Sequence, residues 1–194
     1  SNKTFGIAFR TPPVDSTGVF HIFEHAVTAG SRKYPSKSLF FDVNGSSVNT
    51  FLNAFTSPDK TYYPVASTND QDFHNLVDIY LDSVFFPLVK KQKNIFLREG
   101  WRYELNKGEL GYNGIVFSEM KGNFPRPGRH VWQQMLKGLY PGSSYAHNSG
   151  GNPYNIPDLT YEKMVQVHDR YYHPSNSYIL FYGDGDVQEH LKLV

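Results

Sequence analysis

The sequence predicts an α+β domain built on a mainly antiparallel sheet packed with helices. Three observations lead there. Runs of alternating, β-rich residues occur near both ends and in the middle, apolar residues recur at helical spacing between them, and no regular strand-helix-strand alternation of the parallel kind is present. With 194 residues, 39% of them hydrophobic, the chain is long enough to bury a substantial core as a single domain, residues 1–194.

Thr4 to Arg10 alternate in the manner of a half-buried strand and stop at Pro12-Pro13. Asp15, Ser16 and Thr17 then offer N-cap side chains for a helix from about Gly18 to Thr28, ended by Gly30. The β-rich runs "SVNTFLNAFT" and "TYYPVAS" flank "SPDK", a turn with proline at its second position, which predicts a hairpin from Val48 to Thr68. From Asp70 to Phe86, Phe73, Leu76, Val77, Tyr80, Leu81 and Val84 repeat at helical spacing until Pro87 stops them. "GWRYEL" reads as a strand and "YNGIVFSEMKGNF" as a helix closed by Gly122 and Pro125. Further helices are expected over Arg129–Leu139 and Thr160–Tyr172, followed by the strand "SYILFYG". "YPGSSYAHNSGGNP" is the one long loop, and its "SGGN" reads as flexible connection, because no strand precedes it and no Gly-Lys pair follows.

Composition narrows the chemistry. A net charge of +1 gives no field that would draw the chain to nucleic acid or to an anionic membrane. With no cysteine, thiolate metal sites and disulfides are excluded, and His, Asp and Glu remain as metal ligands. No run approaches the roughly 18 apolar residues of a membrane-spanning helix, so a soluble domain without a membrane partner is expected. The chain opens almost directly in a strand and ends in "EHLKLV" without an evident cap, as expected of a piece of a longer protein.

Chemistry concentrates in "GVFHIFEHAVTAG". On a helix of 3.6 residues per turn, Glu24 and His25 fall on either side of His21 within an arc of roughly 100°, so the three side chains can converge. Two neutral imidazoles one turn apart can hold a divalent ion, and the carboxylate beside them can act as base on a water there. The plainer alternative, a pair of surface histidines, fits poorly on a helix that is otherwise apolar on this side. A catalytic zinc takes three protein ligands, so a third must come from elsewhere. Glu119, inside the apolar stretch "GIVFSEMKG", is the best candidate; its alternative is an exposed helix residue beside Lys121. His74 and His168 read as solvent or boundary positions on amphipathic helices, and His173 as a capping residue. Phe23 and Phe55 are candidate walls of a cleft.

His21-Ile22-Phe23-Glu24-His25 matches the inverted zinc signature HxxEH. Together with "FRTPPVDSTGVFHIFEH", "GSRKYPSKSLF", "FLNAFTSPDKTYYPVAS", "EGWRYEL", "GIVFSEMKG", "SGGNPYNIPDLTYEKM" and "YYHPSNSYILFYGD", it makes nearly the whole chain resemble the insulinase-like (M16) metallopeptidases, in particular their presequence protease/falcilysin branch. The resemblance implies the N-terminal catalytic domain of such an enzyme, with the LuxS/MPP-like metallohydrolase sandwich. It implies one Zn2+ held by His21, His25 and Glu119, and Glu24 as the catalytic general base. It also implies a strand beside the metal that pairs with extended peptide, making Asn53, Ala54 and Phe55 the substrate-binding candidates. The expected activity is that of a zinc metalloendopeptidase degrading short to medium unstructured peptides. Its expected partners are those peptides and the C-terminal half of the same polypeptide, which supplies a tyrosine and an arginine to the reaction. Mitochondrial matrix, plastid or a parasite organelle is the expected location.

One departure from other branches matters. Where pitrilysin-like relatives have a glutamate seven residues before the distal ligand, this chain has Tyr112, so no second carboxylate is expected at the site. The rival reading is a catalytically inactive M16-like module that binds peptides or a partner; the presence of all four motif residues speaks against it.

Overall fold

The computed structural model describes residues 1–194. The chain runs β1 (Lys3–Arg10), α1 (Val19–Val27), α2 (Leu39–Ser46), β2 (Asn49–Leu52), β3 (Phe55–Thr56), β4 (Lys60–Ser67), α3 (Asp70–Phe85), α4 (Lys93–Glu99), β5 (Arg102–Asn106), β6 (Glu109–Asn113), α5 (Ile115–Asn123), α6 (Pro127–Leu139), α7 (Tyr161–Tyr171), β7 (Ser177–Tyr182) and α8 (Val187–Lys192). The main sheet has the order β2-β4-β1-β7, with β3 also paired to β4, and every pairing in it is antiparallel. A separate antiparallel hairpin joins β5 and β6. The architecture is the α+β, mainly antiparallel one that the sequence predicts.

Alternation explains the central strand. Phe5, Ile7 and Phe9 of β1 are fully buried, each contributing about 1.5–3 kcal/mol through burial, while Thr4, Gly6 and Ala8 between them are only partly covered. Tyr63 and Val65 of β4, with Phe73, Leu76, Val77 and Val84 of α3, complete this core. Into it α1 inserts Ile22, Phe23, Ala26 and Val27. The predicted turn is closed by the Ser57 amide donating to Lys60 O at 2.8 Å, and the incoming arm of the hairpin breaks at Asn53–Ala54 into β2 and β3. α3 is capped by Asn69, whose side chain accepts from the Asp72 amide.

Several expectations need correction. The N-cap position of α1 is Gly18, and neither Asp15, Ser16 nor Thr17 caps it. Asp15 instead folds onto Thr17, accepting from its amide at 2.9 Å and its hydroxyl at 2.6 Å, and pairs with Lys163. Gly18 has φ of 69° and lies so close to the Gly150–Gly151 backbone that a Cβ would meet Gly150 O at 2.7 Å, so only glycine fits. The helix expected from Tyr112 starts at Ile115, because Tyr112 and Asn113 belong to β6, and Gly122 falls inside it. α2 and α4 escape periodicity because they are short, α2 burying only Leu39 and Val43, α4 only Ile95, Phe96 and Glu99. "EHLKLV" falls largely within a short helix, α8 (Val187–Lys192), whose first amides are held by Asp186.

Covering is uneven. Phe23, a candidate cleft wall, is fully buried against His168 and Tyr172. His168 is likewise buried, not at a boundary, and its Nε2 donates to Val84 O at 3.0 Å. His74 is half-buried as expected, and His173 accepts from the Ser175 amide at the start of a 3-10 turn, as its capping role predicts. By contrast, Tyr178, Leu180 and Tyr182 of β7 and Val131, Trp132, Met135 and Leu139 of α6 are exposed.

Candidate metal centre

The three expected ligands meet. Ligand atoms of His21, His25 and Glu119 all lie within 4.8 Å of one another. Nε2 of His21 is 3.5 Å and Nε2 of His25 is 3.9 Å from the same oxygen, Oε2 of Glu119. Ligands bonded at about 2.0–2.1 Å to a tetrahedral zinc stand roughly 3.3 Å apart, so the cluster is slightly wider than a closed coordination shell and has the right donor chemistry. α1 supplies the histidines on one face, at i and i+4, and α5 brings the glutamate from across the cleft.

Each imidazole is oriented from behind. His21 Nδ1 lies 2.9 Å from Gly150 O. A carbonyl only accepts, so Nδ1 carries the proton and Nε2 is left as the lone pair turned to Glu119. Gly150 is placed by the close approach of Gly18 and Gly151, so "SGGN" is a structural clamp and not the flexible connection expected of it. His25 Nδ1 is 3.6 Å from Oε2 of Glu99, a buried carboxylate of α4 whose Oε1 accepts from Arg98 Nε at 2.7 Å. Tyr112 is packed among Trp101, Tyr103 and Phe117, and the carboxylate behind His25 comes from a different element, as Glu99 of α4. Burial lowers the pKa of His25, yet the Glu99 contact and the charges of Glu24, Glu99 and Glu119 outweigh it and the net shift is upward.

Glu24 is buried, and its Oε2 accepts from the Thr56 hydroxyl at 2.6 Å. β3 thus fixes one carboxylate oxygen. Beneath it, Tyr63 and Tyr172 share a hydrogen bond at 2.9 Å, and burial, with a contribution from Glu24, holds both phenols far above their ordinary pKa and uncharged.

The centre opens into a cleft of about 460 Å³ lined by His21, Glu24, His25 and Glu119 on one side and by Asn53, Ala54, Phe55 and Thr56 on the other. All three expected substrate-binding residues therefore face the metal residues. Asn53 is anchored, its carbonyl accepting from Tyr80 at 3.1 Å and its side chain from the Ala54 amide at 2.9 Å. Phe55 stacks on Tyr62 at 4.9 Å. A second pocket of about 420 Å³ adjoins Glu24 and His25 and is walled by Ala29, Phe40, Phe41 and Ile115.

Thr56, Glu99 and Gly150 were invisible to the sequence reading. Glu99 alone left a trace, as a carboxylate between Phe96 and Trp101 in "FLREGW".

Comparisons with known proteins identify the family and the fold. The family model "Insulinase (Peptidase family M16)" matches residues 10–123. The chain is 52% identical to Protein HypA of Clostridium perfringens, over all of this chain and 20% of that protein. It is 51% identical to Presequence protease 1, chloroplastic/mitochondrial, of Arabidopsis thaliana, and 46% identical to the mitochondrial presequence protease of Xenopus tropicalis, over all of this chain and 18% and 19% of theirs. It thus spans about a fifth of these relatives. Among solved structures, pitrilysin superposes with a TM-score of 0.74 at 19% identity, over 99% of this chain and 20% of pitrilysin. A protease from Helicobacter pylori superposes with a TM-score of 0.77 at 15% identity, over 99% of this chain and 43% of that one. At those identities the structures speak for the fold. The family match over more than half of the chain, with close relatives along its whole length, places this chain in the insulinase family of peptidases, M16.

Proposed function

We propose that this chain carries the catalytic centre of a zinc metalloendopeptidase that hydrolyses unstructured peptides of short to medium length. His21, His25 and Glu119 hold one zinc ion, and Glu24 is the general base. The observation that carries the reading is the convergence of three ligand atoms within 4.8 Å beside a buried, tethered carboxylate. Bound there, zinc would supply Lewis acidity that polarises the peptide carbonyl and lowers the pKa of water toward about 7. Glu24 takes a proton from the attacking water and delivers it to the departing amine, so no covalent intermediate with the protein is needed. Thr56 keeps Oε2 occupied and leaves Oε1 to serve as the base.

Peptide recognition follows from the sheet. β2 and β3 pair with β4 on one side only, leaving the cleft edge at Asn53, Ala54 and Phe55 open to strand addition. Main-chain pairing is common to all extended peptides, which suits a peptidase with broad sequence tolerance. The exposed apolar faces of α6 and β7 suit contact with the rest of a longer polypeptide, whose C-terminal half closes the chamber. The isolated chain therefore turns over little or no peptide. No helix is long and apolar enough to cross a membrane. Two of the relatives are named mitochondrial or chloroplastic, which supports a mitochondrial or plastid-like location for the longer protein.

The test is metal analysis beside peptide cleavage on the longer polypeptide, as wild type and Glu24→Gln. One zinc in each with cleavage in the wild type alone is the expected result. One zinc with no cleavage in either would replace the enzyme by a peptide-binding or partner-binding module.

A further inference from the structure

The metal cleft does not end at Glu119. Met120, Arg129 and Asn148 line it and also line a second, contiguous groove of about 190 Å³ between α5, α6 and the loop that carries Gly150. Its cationic lining residues are Arg129 and Lys137, with His130 between them on the same helix, and no carboxylate lines it. None of the three forms an ion pair within the chain; Glu119, on the shared side, faces His21 and His25 instead.

The helix that builds this groove is amphipathic but buries neither face. At 100° per residue, Arg129, His130, Gln133, Gln134 and Lys137 form one face of α6, and Val131, Trp132, Met135 and Leu139 form the opposite one. A helix on the surface of a lone domain turns its apolar face inward. Here no residue of α6 is buried: the polar face lines the groove with Arg129, His130, Gln134 and Lys137 still exposed, and the apolar residues of the opposite face are exposed as well. The orientation is held: Gln133 donates to Ala146 O at 2.9 Å, and His130 packs edge-on against Phe124 at 4.6 Å. Amides of Gln133 and Asn148 add neutral donors to the cations.

We propose that this groove is a carboxylate-binding subsite of the peptide cleft, with Arg129 and Lys137 receiving an acidic group of a peptide that lies across the metal centre. Unpaired cations, amide donors and the absence of any acid are the complement of a carboxylate, and the guanidinium at the junction offers it a bidentate partner. An acidic side chain and a free C-terminus carry the same chemistry, and the groove accepts either at the appropriate distance from the cleaved bond. The inference rests on the peptidase reading for the identity of its ligand, but its test does not require turnover.

Binding is measured by fluorescence anisotropy on the longer, zinc-loaded polypeptide carrying Glu24→Gln, which holds peptide without cutting it. A neutral labelled peptide is compared with a set in which one glutamate is moved position by position, each paired with its glutamine counterpart, and with free-acid and amidated C-termini. At least one acidic form should bind about tenfold more tightly than its neutral counterpart, the gain of two partly exposed ion pairs, and the gain should shrink with added salt. A gain confined to the glutamate series assigns the side chain as ligand, and one confined to the free acid assigns the C-terminus. Arg129→Gln with Lys137→Gln should abolish the preference while affinity for the neutral peptide holds. Equal binding of every acidic and neutral pair, or a preference that survives the double substitution in a folded protein, overturns the proposal. Failure of the wild type to cleave any of these peptides would overturn the peptidase reading and leave the binding comparison in force.

Discussion

The two halves of the metal centre are built differently. The α1 half is anchored: His21 is held by Gly150 O, His25 stands against buried Glu99, Glu24 is tied to Thr56, and the neighbouring Ile22, Phe23 and Ala26 are fully buried. The α5 half is not. Glu119 has a side chain 45% exposed and makes no hydrogen bond behind its carboxylate; its close polar contacts are the two histidines. The contrast teaches that this candidate site has a preorganised side and an adjustable side; on the proposed zinc reading the first would set where an ion sits and the second would close on it.

The largest effect that would test this division is on chemistry. In the longer polypeptide, Glu24→Gln should lower kcat by about a thousandfold while zinc content, read by metal analysis, stays at one ion. Loss of the zinc as well would mean that Glu24 serves the anchored half as structure and not as base. Next comes Glu99→Gln, which keeps the shape but removes the charge behind His25; zinc affinity from competition with a chelator should fall about 10- to 100-fold. By comparison, Glu119→Asp should cost less metal affinity than Glu99→Gln if the α5 side is free to readjust, and the reverse ranking breaks the comparison.

Thr56→Val sharpens it within the anchored half. Removing the hydroxyl frees Glu24, and kcat should drop about tenfold with zinc affinity unchanged, consistent with about 1.5–3 kcal/mol for a hydrogen bond to a charged group, part of it recovered by water. Gly18→Ala acts further back. The new Cβ meets the Gly150–Gly151 backbone at a positive φ, so thermal unfolding should show a loss of about 1–3 kcal/mol together with weaker zinc binding, because Gly150 O moves with the loop.

The smallest effect concerns the core beneath α1. His168 packs on Phe23, and burial holds its pKa below the ordinary 6.5. Val84 O and the Asp169 carboxylate act in the opposite direction, and Lys90 adds to the lowering. The unfolded chain takes up a proton near pH 6.5 that the folded chain refuses, so the stability of the fold should decline as pH falls below about 6.5. A denaturant midpoint that is flat from pH 7.5 to 5.5 would remove this contribution. In His168→Phe the decline should be smaller.

How much of this was legible depends on distance along the chain. β1, α3 and the cluster at His21, Glu24 and His25 follow from local periodicity, and the composition confined the ligands to His, Asp and Glu. The short elements were not legible: α4 is seven residues long, too few for a repeat to declare itself, yet it brings Glu99 to the site. "SGGN" misled for a related reason. Glycine pairs read as slack in a sequence, and here they permit the Gly18–Gly151 contact that aims a carbonyl at His21.

Residues four apart on a helix share a face whatever surrounds them, because the helical repeat is a property of the backbone; the motif on α1, its two imidazoles and its carboxylate were therefore written in the order of the amino acids. That Glu119 reaches the same point from α5, that Glu99, Thr56 and Gly150 stand behind the motif, and that α6 turns its cations toward the cleft are matters of packing between segments far apart in the chain. No local repeat encodes those distances; they arise when the sheet and helices close on a shared core.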